Sequence, residues 1–444
     1  MKFHFGSSGI RDKYPEVITP ALAAELGRAV PANMGDKIAV AHDTRLSSPV
    51  LRSMFIASAM ESGADIFDYH IVPTPVLSYQ TRARKFSAGV MITASHNPPE
   101  YNGFKVFTSK GEALDDESKL LDGPREHRPV RPSEKLELLR PYEYLEMISR
   151  VGLSRKWKVI LDPGNGAACG FSELVYRNAG CLVTSVNSIP DGRFPGRGSE
   201  PKRESLGLLS QMVRETGLDG GIAFDGDSDR MVIVDEKGNC PLQDRALAYF
   251  VSHLARGSRT SKVFLVPIDS SMVLEETVEK AGGRVIRGPV GDALLLREMK
   301  KHGSSFAGEP SGAWIHYDYN PSPDGILSGL LYLRALEEDG LTVSASLNDI
   351  PEYHMERRSI PFSVDLDSEG ASMFESELAR IVGEGSRFSS EYGLRAASGE
   401  SWVLVRKSGT EPKIRVTVES KTWSEMDRIM KETIHLTQRL SRSG

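Results

Sequence analysis

Ser87-Ala88-Gly89-Val90-Met91-Ile92-Thr93-Ala94-Ser95-His96-Asn97-Pro98-Pro99-Glu100-Tyr101-Asn102-Gly103-Phe104-Lys105 is the stretch on which the reading turns. Residues 87–93 are an apolar run, 104–108 read as a second strand, and the segment between them is polar and broken by two prolines. A short apolar run bounded by turn residues is the signature of a buried strand. Strand C-terminal ends are where open α/β sheets bind ligands. Ser95 is therefore presented to a cleft, with His96 beside it and Lys105 ten positions on. A serine nucleophile needs a base, a metal or pre-placed charge. The same residue types also build an ordinary polar turn that caps a helix.

Working outward, strand and helix alternate. Thr19-Pro20 opens an Ala-rich helix, 38–41 is a strand, and 47–63 is helical. A second round follows, with strands at 158–161, 182–186, 221–224 and 231–234 and a helix at 171–178. The third has strands at 263–267, 285–286 and 305–307 and helices at 271–281, 293–302 and 325–338. Such alternation implies parallel sheets in α/β layers. The tail is different: 353–365 is extended, 402–405 and 414–418 alternate like antiparallel strands, and 422–442 is a long amphipathic helix. The expected class is α/β, with three related mixed-sheet domains at 1–145, 146–256 and 257–352 and an α+β domain at 353–444.

Composition removes several classes. The 444 residues carry 55 Lys+Arg against 60 Asp+Glu, and a net charge of −5 argues against a broad nucleic-acid surface. A hydrophobic share of 39% supplies several cores and rules out wholesale disorder. No apolar run approaches the roughly 18 residues of a membrane helix, and residues 1–11 contain no signal-peptide core. Cys169, Cys181 and Cys240 show no metal or disulfide spacing, so free thiols in a reducing cytoplasm are expected.

Three further segments carry chemistry. Phe224-Asp225-Gly226-Asp227-Ser228-Asp229-Arg230 places three carboxylates at alternate positions after an apolar strand. Their mutual repulsion calls for a cation, and hard oxygen donors suit Mg²⁺. A calcium loop fits poorly, because its sixth position is Arg230 rather than Gly. An aspartyl-nucleophile phosphatase and a solvated acidic turn stay open. Arg406-Lys407-Ser408-Gly409-Thr410-Glu411-Pro412-Lys413-Ile414-Arg415 offers hydroxyls, amides and two arginines, which suits a phosphate, or a plain hairpin. Gly308-Glu309-Pro310-Ser311-Gly312 is a tight turn whose Glu309 and Ser311 could meet sugar hydroxyls. Together the segments describe phosphoryl transfer on a phosphosugar, a reaction dominated by positioning and charge neutralisation.

With Phe5-Gly6-Ser7-Ser8-Gly9-Ile10-Arg11, Asp43-Thr44-Arg45, Pro73-Thr74-Pro75 and Val290-Gly291-Asp292 added, the motifs run in one order along the whole chain. In that order the chain resembles the α-D-phosphohexomutase superfamily, and its sugar loop looks most like archaeal members assigned as phosphoglucosamine mutases. The resemblance implies four domains around a central cleft, the last swinging over it. It implies a phosphoserine at Ser95 and one Mg²⁺ held by that group with Asp225, Asp227 and Asp229. It implies a sugar 1,6-bisphosphate as intermediate and activator. Arg11 and Arg230 would neutralise the transferring group, and Lys105 would act as general acid/base, its pKa lowered by a cationic neighbourhood. Glu309 and Ser311 would contact the sugar. Arg406, Ser408, Gly409, Thr410 and Arg415 would grip the other phosphate. The expected substrate is glucosamine phosphate ahead of mannose or glucose phosphate, with neither nucleic acid nor membrane as partner. Many members place an acid/base His after Gly312, whereas here Ala313-Trp314 follows, with His316 nearby.

Overall fold

The computed structural model describes residues 9–115, 120, 131–257, 261–361, 368–383, 386–389, 392–407 and 413–443. Residues 5–8 and the expected phosphate ligands Ser408, Gly409 and Thr410 lie outside this set.

The first sheet has six strands, in the order Ile10–Lys13, Tyr101–Thr108, Ala88–Ile92, Lys37–His42, Asp65–Ile71, Leu136–Leu138. The second runs Met231–Val234, Gly220–Phe224, Lys158–Asp162, Leu182–Ser185, and the third Arg284–Gly288, Val263–Pro267, Phe306–Gly308, Trp314–His316. All three are parallel at the centre and antiparallel towards one edge, so the sheets are mixed rather than purely parallel. The reason is shared. In each sheet one parallel strand turns back on itself: Ala88–Ile92 into Tyr101–Thr108, Gly220–Phe224 into Met231–Val234, and Phe306–Gly308 into Trp314–His316. The three reversals carry Ser95, the Asp225 triad and Glu309. The central strands are buried on both faces and read as continuous apolar runs, as parallel strands must.

Helix starts follow local chemistry. Thr19 Oγ1 accepts from Leu22 N at 3.1 Å, with Pro20 in the first turn. Asp324 does the same for Leu327 N at 3.0 Å. One apolar cluster, including Trp157, Tyr176, Phe224, Phe250, Trp314 and Tyr332, runs through the first three units without a break. The C-terminal unit has its own core under a five-stranded sheet of His354–Pro361, Lys413–Ser420, Ser401–Lys407, Leu394–Ala397 and Arg387–Ser389. It meets the third unit through Trp402 and Leu404 packed on Ile268 and Met272. Among the described residues no helix is long and apolar enough to cross a membrane.

Candidate active site

Ser95 sits where the first sheet's reversal begins. It is 1% exposed and its backbone is left-handed, with φ 51. Left-handed serine is a sparsely populated conformation, which persists only where neighbours over-determine it. Here Ser95 N donates to Thr93 Oγ1 at 2.9 Å, and Ser95 Oγ donates to Asp225 Oδ2 at 2.7 Å. The second of these joins the first two sheets' reversals. Their backbones are so close that a Cβ on Gly226 would lie 2.6 Å from Ser95 O.

Asp225, Asp227 and Asp229 converge, with one ligand atom from each lying within 4.8 Å of the others. Asp225 Oδ1 accepts from Arg230 N at 3.1 Å. Asp227 Oδ2 accepts from Thr74 Oγ1 at 2.6 Å and from Lys105 Nζ at 2.7 Å, and Asp229 Oδ2 from Lys105 Nζ at 2.5 Å. The remaining oxygens, Oδ1 of Asp227 and of Asp229, are buried without a hydrogen-bond partner. Buried carboxylate oxygens are costly to leave unpaired, and two hard oxygens beside Asp225 and Ser95 are a donor set that fits a small divalent cation. Burial, with Asp229 and Asp227 adding repulsion, holds the Asp225 carboxyl well above its usual range. Burial pushes Asp227 the same way, but Lys105 and Arg11 outweigh it and its pKa falls.

Lys105 corrects one expectation. Burial pulls its pKa down, but Asp227 and Asp229 more than offset this, so it is raised rather than lowered. Its surroundings are anionic, and it stands as an acid. Half-buried His96 is the opposite: burial first, then Arg230 and Arg11, push the imidazole down to about 2, so it is neutral. Its Nδ1 lies 3.4 Å from Ser95 Oγ. Arg11 reaches the same surroundings from strand Ile10–Lys13, where it pairs with Gly103. Burial opposes the charge on Arg230, but Asp229 and Asp225 restore it and raise its pKa.

The third reversal closes on the second. Met231 N donates to Gly312 O at 3.2 Å, and Arg230 pairs with Ala313. Gly312 has φ +89, and a Cβ there would lie 2.0 Å from Met231 O, so only glycine fits. Glu309 Oε1 accepts from Gly291 N at 3.1 Å and Oε2 from Ser311 Oγ at 3.0 Å. Burial raises the Glu309 pKa, with Arg230 acting against it.

The four domain models of the phosphoglucomutase/phosphomannomutase family match this chain in order: alpha/beta/alpha domain I over residues 2–121, domain II over 142–238, domain III over 243–353 and the C-terminal domain over 369–436. The chain belongs to this family. A probable phosphoglucosamine mutase of Methanopyrus kandleri is 37% identical over 98% of both chains. A phosphoglucosamine mutase of Methanococcus vannielii is 36% identical over 97% of this chain and 98% of its own. A phosphoglucomutase/phosphomannomutase family protein from Burkholderia thailandensis superposes with a TM-score of 0.86 at 25% identity, covering 99% of this chain and 98% of its own. The chain is thus a phosphohexomutase, an isomerase.

In this phosphohexomutase Arg406 and Arg415 face each other across neighbouring strands of the C-terminal sheet. Burial lowers the Arg406 pKa, and Asp269 pulls it back. His316 is excluded from the cleft. It is 5% exposed, its Nε2 is 2.9 Å from Ser328 Oγ, and it packs on Phe250 and Phe306. The position after Gly312 holds Ala313, whose backbone pairs with Arg230. Sequence reasoning missed Thr74 as a partner of Asp227 and left Arg45 without a role. Pro73-Thr74-Pro75 was legible only as a motif, and its helical continuation, Thr74–Ala83, gave no separate signal.

Proposed function

We propose that the chain interconverts the 6- and 1-phosphates of a hexosamine, glucosamine 6-phosphate to glucosamine 1-phosphate, through a phosphoserine at Ser95. The observation that carries the chemistry is Ser95 Oγ at 2.7 Å from Asp225 Oδ2, beside two buried carboxylate oxygens that accept no hydrogen bond. Relatives named phosphoglucosamine mutase, at 36–37% identity over nearly the full length, support the choice of sugar.

Phosphorylated Ser95 gives its phosphoryl group to the free 1- or 6-hydroxyl of the bound hexosamine phosphate. The P–Oγ bond breaks, a P–O bond to the sugar forms, and the hydroxyl proton is passed on. The resulting 1,6-bisphosphate turns in the cleft and returns its other phosphate to Ser95. Arg11 and Arg230 offset the charge that spreads over the transferring oxygens. Lys105, held charged by Asp227 and Asp229, supplies the proton that Ser95 Oγ needs as leaving group. Neutral His96, 3.4 Å from Ser95 Oγ, flanks the nucleophile, and the proton lost by the sugar hydroxyl replaces the one that Lys105 gives up. Glu309 and Ser311 hold sugar hydroxyls, and Arg406 and Arg415, with Ser408, Gly409 and Thr410, hold the phosphate that is not reacting. Asp225, Asp227 and Asp229, with the Ser95 phosphate, would bind one Mg²⁺, which neutralises negative charge at the transferring group. We place the reaction in the cytoplasm, where the free thiols of Cys169, Cys181 and Cys240 stay reduced. The same reading divides the chain into working units at 1–145, 146–256, 257–352 and 353–444.

The test is ³¹P NMR of the phosphorylated enzyme with Mg²⁺ and, in separate tubes, the 6-phosphates of glucosamine, mannose and glucose. Fastest conversion of glucosamine 6-phosphate is expected. Faster conversion of either neutral sugar would make the chain a phosphomannomutase/phosphoglucomutase, and no conversion of any would overturn the mutase reading.

A further inference from the structure

Arg45 is 0% exposed, yet it belongs to none of the groups that meet substrate or metal. A guanidinium has five N–H donors, and all five are engaged. Nε donates to Asp43 Oδ2 at 2.9 Å. Nη1 donates to Pro98 O at 2.5 Å and Tyr101 O at 2.9 Å, and Nη2 to Ser95 O at 2.8 Å and Asn97 O at 2.6 Å. One side chain thus collects four carbonyls of the segment that carries the nucleophile. The sequence shows why extra donors are needed: Pro98 and Pro99 have no N–H, so the loop is short of donors. Its own N–H groups supply Asn97 N to Ala94 O at 3.0 Å and Tyr101 N to Pro98 O at 3.1 Å, and Arg45 reaches the carbonyls of 95, 97, 98 and 101.

Asp43 completes the device. It accepts from Ser48 Oγ at 2.9 Å and from Thr93 Oγ1 at 2.7 Å, and Thr93 Oγ1 in turn accepts from Ser95 N at 2.9 Å. Ser95 is therefore held through its N–H by Thr93 and through its C=O by Arg45, both anchored on one carboxylate. The second unit closes the other side. Phe194 stacks on the Arg45 guanidinium with 5.1 Å to the ring centre, and Ser199 Oγ donates to His96 O at 2.8 Å and Asn97 O at 2.7 Å.

We propose that Arg45 is a positioning residue that fixes Ser95 in its left-handed conformation and so aims Oγ at the carboxylate triad and the incoming sugar hydroxyl. The proposal rests on the reading of Ser95 as phosphoryl carrier. Arg45 touches neither substrate nor metal; it acts through the carbonyls of 95, 97, 98 and 101. Lysine cannot replace it, because a tetrahedral ammonium with three donors cannot span four carbonyls and a carboxylate.

The experiment compares wild type, Arg45→Lys and Thr93→Val by steady-state kinetics and by mass spectrometry of the Ser95 peptide after incubation with hexose 1,6-bisphosphate and Mg²⁺. A loop displaced by about 1 Å costs on the order of a hundredfold in rate. For Arg45→Lys we therefore expect kcat and the rate of Ser95 phosphorylation to fall together by about that factor, with KM for the hexose phosphate unchanged, because Glu309 and Arg406 are not attached to this loop. Thr93→Val, similar in shape, cuts only the N–H side and is expected to lower both rates about tenfold; it decides the matter if Arg45→Lys does not fold. A folded Arg45→Lys or Thr93→Val with wild-type kcat, or with only KM raised, would overturn the proposal. A wild-type enzyme that turns over without ever carrying phosphate on Ser95 would instead overturn the functional reading beneath it.

Discussion

The cleft has two halves held in place in opposite ways. On one side, the reversals bearing Ser95, the carboxylate triad and Glu309 are tied directly to one another. Thr74 N donates to Asp227 O at 2.9 Å, Met231 N to Gly312 O at 3.2 Å and Gly325 N to Ser228 O at 3.2 Å. Farther back, Asn320 Nδ2 donates to Pro75 O at 3.0 Å and Tyr144 OH to Asp324 Oδ1 at 3.0 Å, riveting the same units through a buried polar network. On the other side, Arg406 and Arg415 stand on a sheet whose core is its own. That sheet reaches the third unit through a small patch in which Glu419 Oε2 accepts from Met272 N at 2.8 Å and Trp402 Nε1 at 2.6 Å. On the proposed mechanism, bond-making atoms need fixed geometry, whereas a grip on a bisphosphate that turns over would have to release and re-form. The contrast follows that division of labour.

Breaking the fixed half gives the largest effect. Ser95→Ala leaves no phosphoryl carrier and should lower kcat by on the order of 10⁴ or more, measured by coupled assay; residual turnover near wild type would move the nucleophile elsewhere. Arg406→Ala removes charge-assisted hydrogen bonds from the grip and should raise KM about ten- to hundredfold. Ser95 phosphorylation should survive in that variant, and an unchanged KM would dissolve the contrast. Thr74→Val unties Asp227 from the first unit and should weaken Mg²⁺ activation about tenfold, read from an activity titration after chelation. Mg²⁺ activation identical to wild type would mean that the tie across the units has no part in holding the metal.

The smallest effect near neutral pH comes from His42, next to the Asp43 anchor. Burial is the main cause that takes its pKa from 6.5 to about 4; the Asp43 carbonyl opposes this, while His70 and Arg52 reinforce it. Nδ1 donates to Asp43 O at 2.7 Å, and Nε2 is buried with no partner, so a proton there would be an uncompensated charge. A folded pKa below the unfolded one adds stability that is present above pH 6.5 and lost as pH falls towards 4. The loss amounts to about 3 kcal/mol. Denaturant midpoints between pH 7 and 4 should show a flatter acid limb in His42→Gln than in wild type; parallel limbs would remove His42 from the account.

Much of this was legible because it is local. Ser95 and the triad sit in short polar segments directly after apolar strands, and Met231–Val234 and Val263–Pro267 are as apolar as the alternation requires. Helix Gln243–Arg256 was not legible. Eight of its residues are buried, Ala246 to Ser252 consecutively, and the unbroken apolar stretch 246–251 cannot be told from a buried strand by periodicity alone. Lys105 was misjudged for a related reason: its two carboxylate partners lie 122 and 124 residues away, and only folding brings them to it. Arg45 was visible as one letter of a motif, but its four carbonyl partners emerge only when the Pro98-Pro99 turn is built.

The central claim is that Ser95 carries the phosphoryl group between the two ends of one sugar. The most direct measurement is a rapid-quench single turnover of ³²P-labelled enzyme with glucosamine 6-phosphate and Mg²⁺, followed by peptide mapping. The account predicts hydroxylamine-resistant label on Ser95 that moves into glucosamine 1,6-bisphosphate within one turnover. Hydroxylamine-labile label on Asp225, or label on Ser95 that the sugar fails to discharge, would contradict it.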